Sequence, residues 1–427
     1  MDFLAFPKGH KDMKQKALLI PLVWGITPAV LAAGFQVNEH SASGLGRAFS
    51  GEGAVADNAS VLARNPAAMT LFSTAQFSGA ISVVDPDINI TDTTNNQEMK
   101  DVAPMQVVPG AYYISPINDQ WAWGIGLFST YGVATDYPDA SYSGDLAGDT
   151  SLVSVSLNPN VAYRINDSFS IGAGVNAVYA HAKLNRHKGI LADAVFGGAP
   201  SDKLISMEGT TYAFGWNLGA LYEVNENNRF GFSYRSAIDL AFKDGDFSSY
   251  DTGISTPADT KADLDVTLPA IWEISGYHKF ASRWAVHYGI QRTEWSDFTE
   301  LKATSSTCTG GTPPGVCFYK EEDYKDSNRY SLGFTHFLNS DWTLRAGFAY
   351  DEQAGKATLS IPDSDRYWYS AGLTYRINDK MTLDAGFTYI DAKSGSFTEK
   401  NKLDEELVFT GKSAAYISAI QFNYQFD

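Results

Sequence analysis

The sequence predicts an all-β fold, a 14-stranded antiparallel transmembrane β-barrel with an N-terminal hatch, or plug, inside its lumen. The first observation is a unit repeated from Trp121 onward, in which an alternating, aromatic-rich run is followed by a tight polar turn and another such run. The second is the near identity of five turns, at residues 117–119, 165–167, 225–228, 338–341 and 377–379. Asn and Asp suit such turns because they tolerate left-handed backbone and bond their own main chain. Short turns at one end and long loops at the other are typical of membrane β-barrels.

The composition excludes several other classes of protein. Hydrophobic residues make up 44% of the 427-residue chain, but no stretch after residue 33 approaches 18 consecutive apolar positions, which excludes a helical membrane protein. The mean hydropathy of −0.20 resembles that of a soluble chain, but barrel strands mask their apolarity by alternating it with polar lumen residues. The formal charge of −17 argues against a basic face, so we expect no nucleic-acid partner.

Residues 1–32 are predicted to be a signal peptide. Lys14 and Lys16 supply a positive start, an apolar run begins at Ala17, and Val30-Leu31-Ala32 offers a small-residue cleavage site. Met13 would make a more ordinary start than Met1, and the sequence leaves the choice open.

The hatch is predicted over residues 33–74. Glycines at 44, 46, 51 and 53 interrupt the segment, residues 54–63 suit a short helix, and Asn65-Pro66-Ala67 stops regular structure. The segment is too short for a core of its own. Polar and glycine-rich, it is best placed inside the barrel that follows at 75–427.

The barrel strands are predicted from alternation, the sixth of them over 211–223. The long connections between the strands, which include 297–327 and 392–413, should be extracellular. One such loop, predicted over 184–210, contains an apolar cluster at helical spacing. Because clustered apolar residues in a water-facing loop mark a binding surface, we expect Leu191, Val195 and Phe196 to contribute to ligand capture.

The two cysteines, Cys308 and Cys317, lie in one predicted extracellular loop. An exported chain meets an oxidising compartment, so a disulfide between them is the favoured interpretation. Two thiolates with no nearby His make only half of a zinc site, and no metal is expected.

Three chemical interpretations are not supported. The glycines at 44–53 lack the spacing and the preceding buried strand of a nucleotide loop. No His lies in a hydrolase motif, so the chain is not expected to be an enzyme, to have catalytic residues or to need a cofactor. Glu321-Glu322-Asp323 could bind a divalent cation, but a solvated acidic loop is favoured.

Several segments closely resemble the FadL-type long-chain fatty-acid transporters, the OmpP1/FadL/TodX family. They cover essentially the whole mature chain in order: 33–39, 43–53, 64–67, 85–90, 117–120, 131–135, 268–273 and 360–366. The resemblance implies a monomeric barrel in the bacterial outer membrane, bounded by lipid and lipopolysaccharide. It also implies passive uptake of long-chain fatty acids: capture in an apolar extracellular groove, transfer to an inner pocket, and hatch-gated release beside a kinked third strand.

The same resemblance assigns roles to individual residues. Arg186 and Lys320 match basic residues near the ligand head group, which suits a carboxylate that leaves bulk water. Phe35 matches a residue at the inner pocket. Two further matches concern gating: Asn65, Pro66 and Ala67 match the hatch motif, and Tyr131 and Gly132 match the kink in the third strand.

Three functions remain open on the sequence alone. The first is uptake of long-chain fatty acids, and the second is uptake of neutral hydrophobic compounds such as aromatic hydrocarbons. The basic residues at 186 and 320 favour the acid. The third is an open general porin, which would need neither a plug nor an apolar loop. A role as an adhesin or phage receptor could accompany any of these.

Overall fold

A computed structural model describes residues 34–250, 259–308 and 313–427. The predicted signal peptide lies outside these residues. Across the described ranges, none of the helices has the length and apolarity needed to cross a membrane.

The described residues form one antiparallel sheet of twenty strand segments, closed where the last segment pairs with the first. The segments are β1 Gln76–Asp92, β2 Gln97–Met99, β3 Gln106–Pro116, β4 Trp121–Phe128, β5 Gly132–Thr135, β6 Thr150–Asn166, β7 Phe169–His187, β8 Lys203–Asn225, β9 Asn228–Arg235, β10 Ile238–Ser249, β11 Asp259–Leu268, β12 Ile271–Ala281, β13 Trp284–Thr293, β14 Glu300–Thr304, β15 Val316–Glu321, β16 Ser327–Phe337, β17 Trp342–Asp351, β18 Arg366–Asn378, β19 Met381–Lys400 and β20 Glu406–Gln425.

The segments combine into 14 wall strands, which confirms the predicted barrel. β2 is an added hairpin strand beside the end of β1. Five wall strands are each split into two segments: β4 with β5, β9 with β10, β11 with β12, β13 with β14, and β15 with β16. Closure pairs the first and last wall strands, so the described sheet does not end in the two long free edges of an open sheet, which a membrane cannot accommodate.

The outer surface of the wall is apolar, because side chains alternate between lumen and exterior along each strand. β4 shows the pattern: Trp121, Trp123 and Leu127 are exposed and Ile125 is half-buried on the outer face, while the alternate residues are buried. Aromatic pairs lie beside the short turns, as in Trp121 with Tyr163, whose ring centroids are 4.6 Å apart. Such an apolar band with aromatic residues at its border is the surface that a barrel presents to lipid.

Several strands continue further into the predicted extracellular loops than alternation indicated. β8 begins at Lys203 rather than near 211, β19 runs to Lys400, and the hairpin of β14 and β15 occupies part of the predicted loop 297–327. Lys320 therefore lies on a strand. The alternation of apolar and polar residues is lost in these outer strand ends. In β19, for example, most positions beyond Ala392 are exposed or half-buried on both faces, so neither face requires apolar residues.

Residues 34–72, the plug segment, pack inside the barrel. Their short elements are α1 Ala42–Leu45, α2 Glu52–Val55 and two 3₁₀ helices, Ala59–Ala63 and Pro66–Leu71. The single short helix expected over 54–63 is thus replaced by the end of one helix and a separate 3₁₀ turn. Backbone approaches the wall closely where the wall has glycine: a Cβ on Gly347 would lie 2.1 Å from the Arg47 carbonyl carbon, and one on Gly231 would lie 2.2 Å from the Gly53 oxygen.

Ion pairs of two buried arginines, Arg47 and Arg345, tie the plug segment to itself and to the wall. Arg47 pairs with Glu52 at 2.5 Å and with Asp57 at 2.7 Å. The same Asp57 oxygen lies 3.0 Å from Arg345 on β17. Such pairs cost desolvation, and removing one partner leaves a buried charge uncompensated. The pairs therefore hold the segment in one position.

Candidate functional site

An apolar cavity of about 810 Å³, counting its part open to solvent, lies near the strand ends away from the short turns. Its walls come from β6, β7, β8, β10, β11 and β14, and most of the lining side chains are apolar: Phe35, Val133, Leu152, Ala182, Leu184, Met207, Phe242, Phe247, Ala262, Leu264, Val266, Phe298, Leu301, Ala303 and Ile361.

Phe35 closes the cavity on the side of the plug segment. Its ring centroid lies 4.7 Å from that of Trp295, 5.2 Å from Phe298 and 5.9 Å from Tyr131, each in an edge-to-face arrangement. Such aromatic pairs are worth about 0.5–1.5 kcal/mol each beyond their buried area. The predicted inner-pocket residue therefore lies on the cavity wall, held by residues from the broken third strand and from the segment after β13.

Arg186 and Lys320 come together at the polar end of the cavity. Arg186 is fully buried at the end of β7, and its Nη2 donates to the Ser360 hydroxyl at 2.7 Å. Lys320 Nζ donates to the same hydroxyl, also at 2.7 Å. Ser360 lines the cavity, as does Thr150, whose hydroxyl accepts from Arg186 at 3.3 Å. The two predicted head-group residues thus converge on one oxygen at the cavity surface.

Two carboxylates lie near the Lys320 ammonium, at different distances. Glu399 Oε2 lies 3.4 Å from Nζ, and Glu322 Oε1 lies 3.8 Å away. Glu322 is 1% exposed, so the expectation of a solvated acidic loop is wrong at this position. Within the described chain, the hydrogen bonds of Arg186 all go to uncharged oxygens. The guanidinium of Arg186 is therefore directed at uncharged oxygens, whereas the ammonium of Lys320 also lies near two carboxylates.

A short loop connects this cluster with the start of the plug segment. Asp363, three residues after Ser360, accepts from the backbone N–H of Gly34 at 3.2 Å and of Ala354 at 2.8 Å. Arg366 donates to its other oxygen at 2.9 Å. Burial raises the pKa of the Asp363 carboxyl, against the opposing effect of Arg366. The loop from Ser360 to Asp363 therefore contacts both the cation pair and the residue before Phe35.

Asn65, Pro66 and Ala67 lie against the barrel wall. The Asn65 side chain accepts from the Ala67 N–H at 3.1 Å and donates to the carbonyls of Gly53 at 2.8 Å and Ala220 at 3.0 Å. Asn65 thus caps the second 3₁₀ helix and joins the plug segment to β8. A Cβ on Gly172 of β7 would lie 2.6 Å from the Pro66 carbonyl carbon, so these three residues fill a glycine-lined recess in the wall.

Tyr131 and Gly132 lie where the third wall strand breaks. β4 pairs with β6 as far as Phe128 opposite Ser156, and pairing resumes at Gly132 opposite Val153. One extra residue on the broken strand makes this a bulge. The plug segment docks there, since Gly132 N–H donates to the Phe35 carbonyl at 2.9 Å and Val37 N–H to the Thr130 carbonyl at 2.7 Å.

The wall is also incompletely paired beside this bulge. β3 pairs with β4 only over Ala111–Pro116. In the described structure, its remaining residues, 106–110, pair with β1 alone. A strip of wall next to the bulge therefore lacks a strand-to-strand ladder on one side.

The three loop residues predicted for ligand capture occupy different environments. Leu191 is fully buried in an apolar cluster with Leu184, Met207 and Phe247, which also line the cavity. Phe196 is half-buried against that cluster, whereas Val195 is 54% exposed. The segment Ala192–Phe196 forms a single π-helical turn. Leu191 thus packs behind the cavity wall, and Val195 faces outward.

Cys308 and Cys317 are joined by a disulfide across the hairpin of β14 and β15. Cys308 is buried in the same apolar cluster as Leu191. The covalent link therefore lies directly behind one wall of the cavity.

Sequence reasoning missed Ser360, Glu322, Glu399 and Trp295 as parts of the site. Ser360 lies at the start of segment 360–366, which resembles the family, but the resemblance assigns no role to that residue. Glu399 fell in a predicted loop. Nothing local distinguishes Glu322 from the exposed Glu321 beside it, because the difference comes from chain segments distant in sequence.

Comparisons with known proteins agree with this architecture. The chain matches the family described as outer membrane protein transport protein (OMPP1/FadL/TodX) over residues 23–426. It is 38% identical to a long-chain fatty acid transport protein of Escherichia coli O6:H1, over 98% of this chain and 100% of that protein. It is 36% identical to outer membrane protein P1 of Haemophilus influenzae, over 92% and 95% of the two chains.

Solved structures share the fold. A Pseudomonas aeruginosa FadL homologue superposes with a TM-score of 0.83 at 22% identity, over 92% of this chain and 100% of that one. The Pseudomonas putida toluene transporter TodX gives a TM-score of 0.67 at 19% identity, over 86% and 94%. Together with the plugged barrel and its apolar cavity, the match to the family over nearly the whole length shows that this chain belongs to the OMPP1/FadL/TodX family of outer-membrane transport proteins.

Proposed function

We propose that this protein takes up long-chain fatty acids passively across the bacterial outer membrane, and that its apolar cavity is the inner binding pocket. One observation carries the proposal: the cavity meets, at one end, two cationic side chains that share a single hydroxyl. An apolar tail and an anionic head group need this combination. The relatives named as long-chain fatty acid transport proteins support the same substrate class.

The binding free energy of such a ligand should come mainly from its long apolar tail, with a smaller contribution from polar contacts to the head group. Burying a methylene group stabilises a complex by about 0.8 kcal/mol, so the apolar lining can supply most of the binding free energy. The head group must leave water, which costs too much unless charged donors replace the water. Arg186 suits this role because its planar guanidinium can donate two parallel hydrogen bonds to a carboxylate, and Lys320 adds a second donor.

A neutral ligand is the second candidate. Solved structures of this fold include a toluene transporter and a monoaromatic hydrocarbon channel, and a lining that is mostly apolar would accept such compounds. The acid is favoured because a hydrocarbon would gain nothing from two buried cations. Their retention behind Ser360 in the cavity lining would then only cost desolvation energy.

Release would use the plug segment and the broken third strand. Phe35 separates the cavity from the bulge at Tyr131, and the plug backbone bonds directly to Thr130 and Gly132. A shift of Phe35 would therefore open a path from the cavity toward the incompletely paired strip of β3. Because the barrel wall closes on itself within one chain, through the pairing of β1 with β20, we propose that the protein acts as a monomer surrounded by outer-membrane lipid and lipopolysaccharide.

The test is uptake of a labelled long-chain acid and of its methyl ester by cells that lack their own transporter and express this chain. Arg186→Gln should weaken acid binding by about 1.5–3 kcal/mol, the range for a hydrogen bond to a charged group, and leave the ester nearly unaffected. The matched control is Arg283→Gln, an exposed arginine of a short turn. Equal loss for acid and ester would give Arg186 a packing role and would favour the neutral ligand.

A further inference from the structure

Glu322 is a buried carboxyl group without a hydrogen-bond partner. It directly follows β15, and its backbone N–H donates to the Thr299 carbonyl at 2.9 Å. Its residue is 1% exposed, and neither carboxylate oxygen has a hydrogen-bond partner in the described part of the chain. A charged carboxylate in this position lacks the donors that would replace its hydration.

The charged groups around Glu322 come from three wall strands. Lys320 on β15 is 3.8 Å away, and Arg186 on β7 and Glu399 on β19 also act on it electrostatically. The buried Tyr324 hydroxyl nearby also lacks a hydrogen-bond partner among the described residues. With both carboxyl groups ionised, the two cations and two anions balance. With one proton added, the cluster carries one positive charge, which matches a single anionic head group.

The electrostatics place Glu322 near its titration midpoint at neutral pH. Burial raises the pKa of its carboxyl to about 7; Lys320 and Arg186 oppose that effect, and Glu399 adds to it. A second negative charge brought to the same cluster would raise this pKa further, since like charges a few ångströms apart repel strongly in a poorly hydrated site.

We propose that Glu322 takes up one proton when an anionic head group binds between Arg186 and Lys320, so that the anion and the proton occupy the site together. This proposal rests on the proposed function of the cluster as a head-group site. The balance is simple: the ionised Glu322, one ligand anion and one proton from solution give the protonated Glu322 beside the bound anion. Acid conditions then favour loading, and loss of the proton favours release.

A permanently ionised probe separates protonation of the protein from protonation of the ligand. Decanesulfonate stays anionic across the useful pH range, and decanol is its neutral counterpart. Calorimetric titration of the purified, lipid-embedded protein at pH 7.5, in two buffers with different ionisation enthalpies, measures the protons taken up per bound probe.

For wild type, we expect decanesulfonate to bind with uptake of between about one half and one proton, and its affinity to fall by up to about tenfold per pH unit above pH 7. Decanol should bind with no proton uptake. Glu322→Gln should abolish the uptake and flatten the pH dependence, whereas Glu321→Gln, the exposed neighbour, should behave like wild type.

The outcomes distinguish this proposal from the one on which it rests. If wild type does not bind decanesulfonate more tightly than decanol, the head-group site itself is wrong. If it binds the sulfonate preferentially but without proton uptake, Glu322 does not act as proposed. Retention of the uptake in a folded Glu322→Gln variant would also overturn it. The two-buffer measurement on wild type needs no variant, so a variant that fails to fold does not leave the question open.

Discussion

Arg186 and Lys320, which are far apart in sequence, donate hydrogen bonds to the same oxygen: the Ser360 hydroxyl lies 2.7 Å from Nη2 of the arginine and 2.7 Å from Nζ of the lysine. A hydroxyl oxygen has two lone pairs, and this arrangement uses both. The hydroxyl therefore sits where an anionic oxygen would be most stabilised. Its own hydrogen remains able to donate to a ligand.

The first prediction concerns Ser360→Ala. Without the hydroxyl, the empty site leaves two cationic donors short of an acceptor, and an incoming carboxylate no longer competes for them. Acid binding should tighten by on the order of 1 kcal/mol, the usual net value of a hydrogen bond, when measured by titration with a long-chain acid. Ser364→Ala, on the same loop, is the control. Weaker acid binding would instead mean that the hydroxyl donates to the ligand.

The second prediction separates two residues of the loop 188–202. Val195→Asp alters an exposed side chain and should reduce uptake only if the outer loop captures ligand. Leu191→Asp places a charge in a fully buried apolar cluster behind the cavity wall. It should therefore destabilise the loop by several kcal/mol whatever the loop does. Uptake and proteolysis of the loop should be measured for both variants. Unchanged uptake in the intact Val195→Asp protein would exclude that residue from capture.

The number of strands could be predicted because its signals are local. Short Asn- and Asp-rich turns and alternating faces depend on neighbouring residues, and the strands predicted from them correspond to the 14 wall strands. The outer ends of β8, β19 and β20 could not be predicted in the same way. Water contacts both faces above the membrane, so polar residues occur there on both faces and the period-two pattern disappears.

The head-group and inner-pocket residues could be predicted only because a resemblance identified them. Arg186, Lys320 and Phe35 reach one cavity because the barrel closes, and no spacing in the sequence encodes that meeting. Glu321 and Glu322 show most clearly what the sequence alone does not predict. The two residues are chemically identical neighbours, and one is exposed while the other is buried beside two cations. Long-range packing determines that difference.

The third prediction is that Cys308 and Cys317 are oxidised in the exported protein. The structure joins them across the hairpin of β14 and β15, and Cys308 packs in the cluster behind the cavity. Alkylation without reductant should label neither thiol. Reduction should label both and loosen the hairpin by on the order of 2 kcal/mol, seen as faster hydrogen exchange in β14 and β15. Full labelling of the unreduced protein would refute the prediction.

The last prediction concerns Asp57, which joins the plug segment to the wall. Its carboxylate pairs with Arg47 at 2.7 Å and with Arg345 at 3.0 Å. Burial alone would raise the pKa of this carboxyl, but the guanidinium groups of Arg345 and Arg47 outweigh it and lower the pKa from 3.8 to about 2. A lowered pKa means that the ionised form is bound more tightly in the docked plug than in a released one.

Because the pKa of Asp57 is lowered, the docking of the plug segment should weaken in acid. Because the Asp57 side chain is 26% exposed, water screens part of this effect. The contribution of Asp57 should be complete above about pH 4, amount to on the order of 1 kcal/mol, and be lost as the pH falls from 4 toward 2. Asp57→Asn should remove it at neutral pH as well. Hydrogen exchange of residues 34–72, corrected for intrinsic rates, should then be faster by roughly fivefold, and single-channel conductance should rise because the plug segment spends more time displaced. Asp379→Asn, in an exposed short turn, is the control. Equal protection of the plug segment in wild type and Asp57→Asn at pH 7 would show that the remaining contacts hold it without this ion pair.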